Sequence, residues 1–113
     1  MVTISQVKRG LLNYADIEIL SKMPSGFKKI AVGAALSLYV GSLDNIMGHP
    51  IIKTLGIIDQ DGYVNVDALA DSIKSNIPEV GAKIDIDVVG IHLGDMILRR
   101  DDIDMIKSAI MSA

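Results

Sequence analysis

Apolar positions follow a helical period in the first half of the chain and a mixed period after residue 56. From Ile4, the residues Val7, Leu11 and Tyr14 recur at steps of three and four, with Lys8, Arg9, Asn13 and Asp16 on other sides. That spacing sets one face of a helix, and Thr3 offers a side-chain oxygen to cap its first turn. Gly10 falls inside the pattern and weakens the helix by about 1 kcal/mol relative to alanine. The run 17–20 either extends this helix or kinks it, and Pro24-Ser25-Gly26 ends the segment in a turn.

The next segment, 28–47, is apolar nearly all round, from Ile30 through Val32, Leu36 and Val40 to Ile46. A helix without a polar face is normally buried on most sides, so this one is expected in the core. Gly33, Ser37 and Gly41 stand four residues apart on one stripe where a second backbone could approach closely. Tight core packing is the first reading of that stripe and an oligomer seam is the second. Gly48-His49-Pro50 breaks the helix, and the period of 51–55 fits neither helix nor strand decisively.

Beyond residue 56, Ile57-Ile58, Asp59-Gln60-Asp61-Gly62 and Tyr63-Val64 read as a hairpin around an Asp-Gly turn. Asn65 can cap a helix whose buried stripe is Val66, Leu69, Ile73 and Ile77, with Asp67 and Asp71 in its early turns. In 83–88, Ile84, Ile86 and Val88 alternate with Lys83, Asp85 and Asp87, the pattern of a half-buried strand. A second strand is expected over 95–98. Asp101 or Asp102 then caps a terminal helix that turns Ile103, Ile106 and Ile110 inward. The predicted class is α+β. One domain spans 1–113, with a helical N-terminal half (1–55) packed on a small antiparallel sheet and two further helices (56–113).

Composition sharpens this picture in one respect. Apolar residues make up 50% of only 113 residues, and the mean hydropathy is +0.40. Small domains bury a smaller share of their surface than large ones, so a partner or a second copy is the expected cover for the surplus. There is no cysteine, which removes disulfides and thiolate zinc sites. The apolar stretch 30–43 is fourteen residues long and is followed by Asp44, short of the roughly 20 a spanning helix needs. With no signal-like opening segment, a cytoplasmic protein that does not enter the membrane is expected.

Charge and aromatic content exclude another class. Residues 1–56 carry six basic against three acidic side chains, and 57–113 carry five against eleven. The basic residues form no dense track, and Tyr14, Phe27, Tyr39 and Tyr63 are too scattered to stack bases. No nucleic-acid partner is expected; the imbalance suits head-to-tail complementarity between copies.

Several groups invite chemistry. The Asp59–Asp61 turn resembles the middle of a calcium loop. Placing Asp61 and Gly62 at the fifth and sixth positions, however, puts Ile57 first and Ala68 twelfth, where oxygen ligands are required. Asp85 and Asp87 protrude from one strand face and could hold a hard cation, or pair with Arg99 and Arg100. A transition-metal site would need His49 and His92 with a carboxylate such as Asp95. Asp101, Asp102 and Asp104 are explained by capping and the helix dipole. No serine sits in a nucleophile elbow and no phosphate-binding glycine pattern occurs. No enzyme and no cofactor is expected.

Gln6-Val7-Lys8-Arg9-Gly10-Leu11-Leu12 and Asn13-Tyr14-Ala15-Asp16-Ile17-Glu18-Ile19 resemble the opening of short uncharacterised proteins encoded in phages and prophages of Gram-positive bacteria. The apolar Gly33-Ala34-Ala35, the Gly-Ile-Ile-Asp-x-Asp-Gly stretch 56–62 and Asp67-Ala68-Leu69 extend that resemblance over most of the chain. It implies a phage-like setting and transfers no catalytic or binding residue. The reading that follows is a small non-enzymatic interaction or assembly protein that self-associates or docks into a larger assembly, with Gly33, Ser37 and Gly41 as interaction residues. The alternative is an ion- or ligand-responsive regulator using the Asp59/Asp61 turn or the Asp85/Asp87 face.

Overall fold

Extended backbone at Thr3 lets its Oγ1 accept the Gln6 amide at 3.1 Å, closing the first turn of α1 (Ile4–Glu18). The computed structural model describes residues 1–88 and 90–113. After α1 come a 3₁₀ turn (Leu20–Lys22), α2 (Phe27–Gly41), α3 (Leu43–Met47), α4 (Pro50–Thr54) and α5 (Val66–Ser75). Then follow β1 (Ala82–Val88), β2 (Ile91–Leu98) and α6 (Arg100–Ser112). The fold is α+β, a helical N-terminal half with a small antiparallel sheet and two further helices.

The open stretch 51–55 is helical because Pro50 needs no amide partner in a first turn and His49 Nδ1 accepts the Ile51 amide at 3.2 Å. The hairpin expected at 57–64 is reduced to an antiparallel bridge between Ile58 and Val64, and Val64 also bridges Val2. Gly62 takes φ 85° there, a conformation few other residues tolerate. Asn65 caps α5 through the Ala68 amide. α5 buries Val66 and Ala70, and Ile77 is buried just past its end, whereas Ile73 is exposed at the rim of an apolar cavity of about 110 Å³. α6 begins two or three residues earlier than a cap at Asp101 or Asp102 would set: Arg99 is the cap residue, and Asp102 acts from the third helical position by accepting the Arg99 amide at 2.8 Å.

The main core joins Val7, Met47, Ile57, Ile58, Val64, Val66 and Ile110, and a smaller cluster joins Ala70, Ile77 and Ile103. The main core depends on α1 crossing α6 closely, since it joins Val7 of α1 to Ile110 of α6. A Cβ on Gly10 would lie 2.4 Å from Ile110 Cα and 2.7 Å from its amide nitrogen. The residue that weakens α1 locally is therefore the one that admits α6.

The buried core helix expected at 28–47 is not what forms. The segment bends at Ser42 into α2 and α3 and buries only Ala31, Val32 and Met47. Phe27, Ile30 and Leu38 are 73%, 72% and 77% exposed. The reason is that α1, α5, α6 and the Val2–Val64–Ile58 bridge already fill the core. What reaches α2 is one side of α1, the 3₁₀ turn and the narrow β ribbon. The outcome shows in the shape. The radius of gyration is 14.5 Å, against about 13 Å for a compact domain of this length.

Candidate functional site

Two surfaces gather the residues singled out by the sequence: the outer side of α2 and the solvent face of the β1–β2 ribbon. On α2, Phe27, Ile30, Ala34, Ser37, Leu38 and Gly41 share one side at helical spacing, and all are exposed. The small-residue stripe is thus split. Gly33 turns towards Leu20, whose methyls would lie 3.7–3.9 Å from a Cβ there, while Gly41 faces open space. Core packing describes Gly33 alone; Ser37 and Gly41 sit among apolar side chains that no described residue covers.

The stretch Phe27–Met47 spans 21 residues with a mean hydropathy of 1.4, and little of it is buried. Length and apolarity alone would let it cross a membrane.

On the ribbon, β1 and β2 pair antiparallel with Asp85 opposite Asp95 and Ile86 opposite Gly94. One step on, Asp87 faces His92, so β2 carries one extra residue between those pairs. This bulge shifts the alternation of β2 by one. Strict alternation places His92 and Asp95 on opposite faces; the bulge brings them together beside Asp85 and Asp87. Asp87 Oδ1 lies 2.9 Å from His92 Nδ1, and Asp95 Oδ1 lies 3.3 Å from His92 Nε2. Ligand atoms of Asp85, His92 and Asp95 all fall within 4.8 Å of one another.

The counter-ion is Lys83, with Nζ 3.6 Å from Asp95 and 4.0 Å from Asp85. Arg99 and Arg100, expected in that role, are engaged elsewhere: Arg100 Nε donates to the Ile77 carbonyl at 2.9 Å and Arg99 starts α6. A hydrogen bond to Asp95, with some desolvation and the Asp95 charge adding, holds the Asp85 carboxyl above the ordinary carboxylate range. The same hydrogen bond, aided by Lys83 and His92, holds Asp95 below it.

The remaining sequence candidates have structural roles. Asp59 Oδ1 accepts the amides of Asp61 and Tyr63, both at 2.9 Å, so the Asp59–Asp61 turn is a self-bonded loop. His49 caps α4 and does not join His92 in the one metal-competent cluster among the described residues. Asp104 pairs with Lys74, and Asp102 bonds the start of α6. The Asp85/Asp87 face was legible from alternation, but the part played by His92 and Asp95 was hidden by the bulge.

The chain matches no protein-family model, no curated protein and no solved structure.

Proposed function

We propose that this is a small non-enzymatic interaction or assembly protein of the cytoplasm, phage-like in setting, that associates with further copies of itself through the outer side of α2. The observation that carries this reading is surface area. The folded chain exposes 7214 Å², whereas a compact monomer of this mass exposes about 6,000 Å². The excess, on the order of 1,200 Å², exceeds the roughly 800 Å² that each partner contributes to a standard protein interface.

A second copy fits that surface by charge as well as by apolarity. Lys28 and Lys29 stand at the start of α2 and Asp44 just beyond its end. Asp44 pairs with Lys8 within the chain yet keeps an exposed carboxylate, so antiparallel pairing sets each basic end against the partner's Asp44, whereas parallel pairing opposes the two basic ends. The midpoint of such a pair falls at Leu36 and Ser37, where the small Ala34, Ser37 and Gly41 let two helices approach.

A bilayer is a poorer occupant. Crossing it with 27–47 would put residues before and after the segment on opposite sides, yet α1 packs on α6 and Val2 bridges Val64. The whole core would have to come apart.

Because the chain has no cysteine, Ser37→Cys introduces a single thiol per copy. Mild oxidation should yield a covalent dimer with native circular dichroism, and a Thr54→Cys control should not. Equal and slow cross-linking of the two variants would remove α2 as the seam.

A further inference from the structure

On the solvent face of the ribbon, His92 stands between two carboxylates. Each ring nitrogen faces a carboxylate oxygen: Asp87 at 2.9 Å from Nδ1 and Asp95 at 3.3 Å from Nε2. A neutral imidazole carries one N–H and one lone pair. We assign the proton to Nδ1 from the shorter contact, which leaves the Nε2 lone pair directed at the Asp95 carboxylate with Asp85 alongside. Two carboxylates directly opposed across a strand pair are themselves destabilising. A cation between Nε2, Asp85 and Asp95 removes both conflicts at once.

We infer that this face binds one divalent first-row transition-metal ion of the zinc class, with Asp85, Asp95 and His92 Nε2 as protein ligands and Asp87 orienting the imidazole. Spacing supports it. Ligands on a tetrahedral ion with bonds of about 2.0–2.1 Å stand about 3.3–3.4 Å apart, and the Nε2 to Asp95 oxygen separation is already 3.3 Å. The Asp85 carboxylate is exposed and lies within the 4.8 Å cluster, so a side-chain rotation brings it to the same centre. The fourth position is open to water.

The Asp87–His92 contact is the carboxylate–imidazole arrangement that fixes the tautomer and ring direction of a metal-bound histidine. One nitrogen and two carboxylate ligands favour zinc, cobalt or manganese over magnesium or calcium, which prefer all-oxygen shells. Lys83 supplies the competing charge. Its ammonium balances the carboxylates in the metal-free chain and, with its side chain 67% exposed, can swing away when an ion enters. None of the proposed ligands comes from α2, so the titration below reads the metal site whether or not α2 is a seam.

The test is calorimetric titration of the intact chain with Zn²⁺ and with Mg²⁺, together with visible absorption on adding Co²⁺. The expected result is one Zn²⁺ per chain, a cobalt ligand-field band and no heat with Mg²⁺. His92→Ala should abolish both zinc and cobalt signals, and Asp87→Asn should weaken zinc about 10- to 100-fold. Lys83→Gln should tighten it, and His49→Ala should leave it unchanged. All four side chains lie outside the core, and circular dichroism of each variant verifies the fold. The inference is overturned by the absence of zinc heat in the wild type, by zinc binding that survives His92→Ala, or by equal binding of Mg²⁺.

Discussion

α1 and α2 are both fifteen residues long, and the less apolar of the two is the more deeply embedded. α1 places its apolar residues in phase, burying Val7 in the main core and Gly10 against Ile110, with Ala15 also buried. α2 is apolar on every side and buries Ala31 and Val32 alone. Phase, not apolar content, decides which helix the core accepts, because a single stripe defines a direction of packing and a uniform surface does not. A uniformly apolar helix will be covered, but its own sequence does not say by what.

Substitutions at matched positions break that comparison most sharply. Gly10→Val should be the most damaging, since its Cβ meets the Ile110 backbone at 2.4 Å. A loss of at least about 3 kcal/mol, or no folded protein, is expected in denaturant titration, at the top of the range for overpacking. Gly41→Leu, at the open end of α2, should leave the dilute monomer as stable or raise it by up to about 1 kcal/mol through helix propensity. It should also weaken association, because the helices could no longer approach there.

Ile110→Ala, removing a side chain only 2% exposed, should cost about 2–5 kcal/mol. Leu38→Ala should change the monomer by less than about 0.5 kcal/mol, as surface changes do. If Leu38→Ala were as damaging as Ile110→Ala under dilute conditions, α2 would be a core helix after all. Caps come next: Thr3→Ala and Asn65→Ala should each lower stability by about 1 kcal/mol, read from thermal or urea unfolding.

The smallest effect expected is a pH dependence from α1. Burial, with Asp102 and Glu18 adding, pushes the Tyr14 phenol above its ordinary range. A raised folded value means its contribution is full below the unfolded phenol range and fades as pH rises through the folded one. Melting temperature should therefore fall more steeply in alkali for the wild type than for Tyr14→Phe. Parallel curves would show that Tyr14 is no better buried than an open residue.

Local features were legible in the sequence because their causes are local. Thr3 and Asn65 cap the helices they precede, and Asp59-Gln60-Asp61-Gly62 turns, since each side chain acts within four residues of itself. The α+β class followed from the change of period. That Gly10 weakens α1 is legible locally, but what it admits is set by Ile110, a hundred positions away. The strand expected over 95–98 begins at Ile91, and the bulge that puts His92 on the face of Asp95 leaves no sign in an alternation by two. Ile73 was placed inward by periodicity, yet it stands at a cavity rim that only the packing of α5 against α6 defines. The exposure of α2 was equally hidden, being a property of what the other elements fill.

The most direct measurement on the uncovered helix is sedimentation equilibrium of the wild type and Leu38→Asp over a wide concentration range. A wild-type mass of two or more chains that falls on dilution, beside a monomeric Leu38→Asp of unchanged circular dichroism, is the result expected of a seam on α2. A wild type that stays monomeric throughout, or a Leu38→Asp that associates equally well, would contradict it.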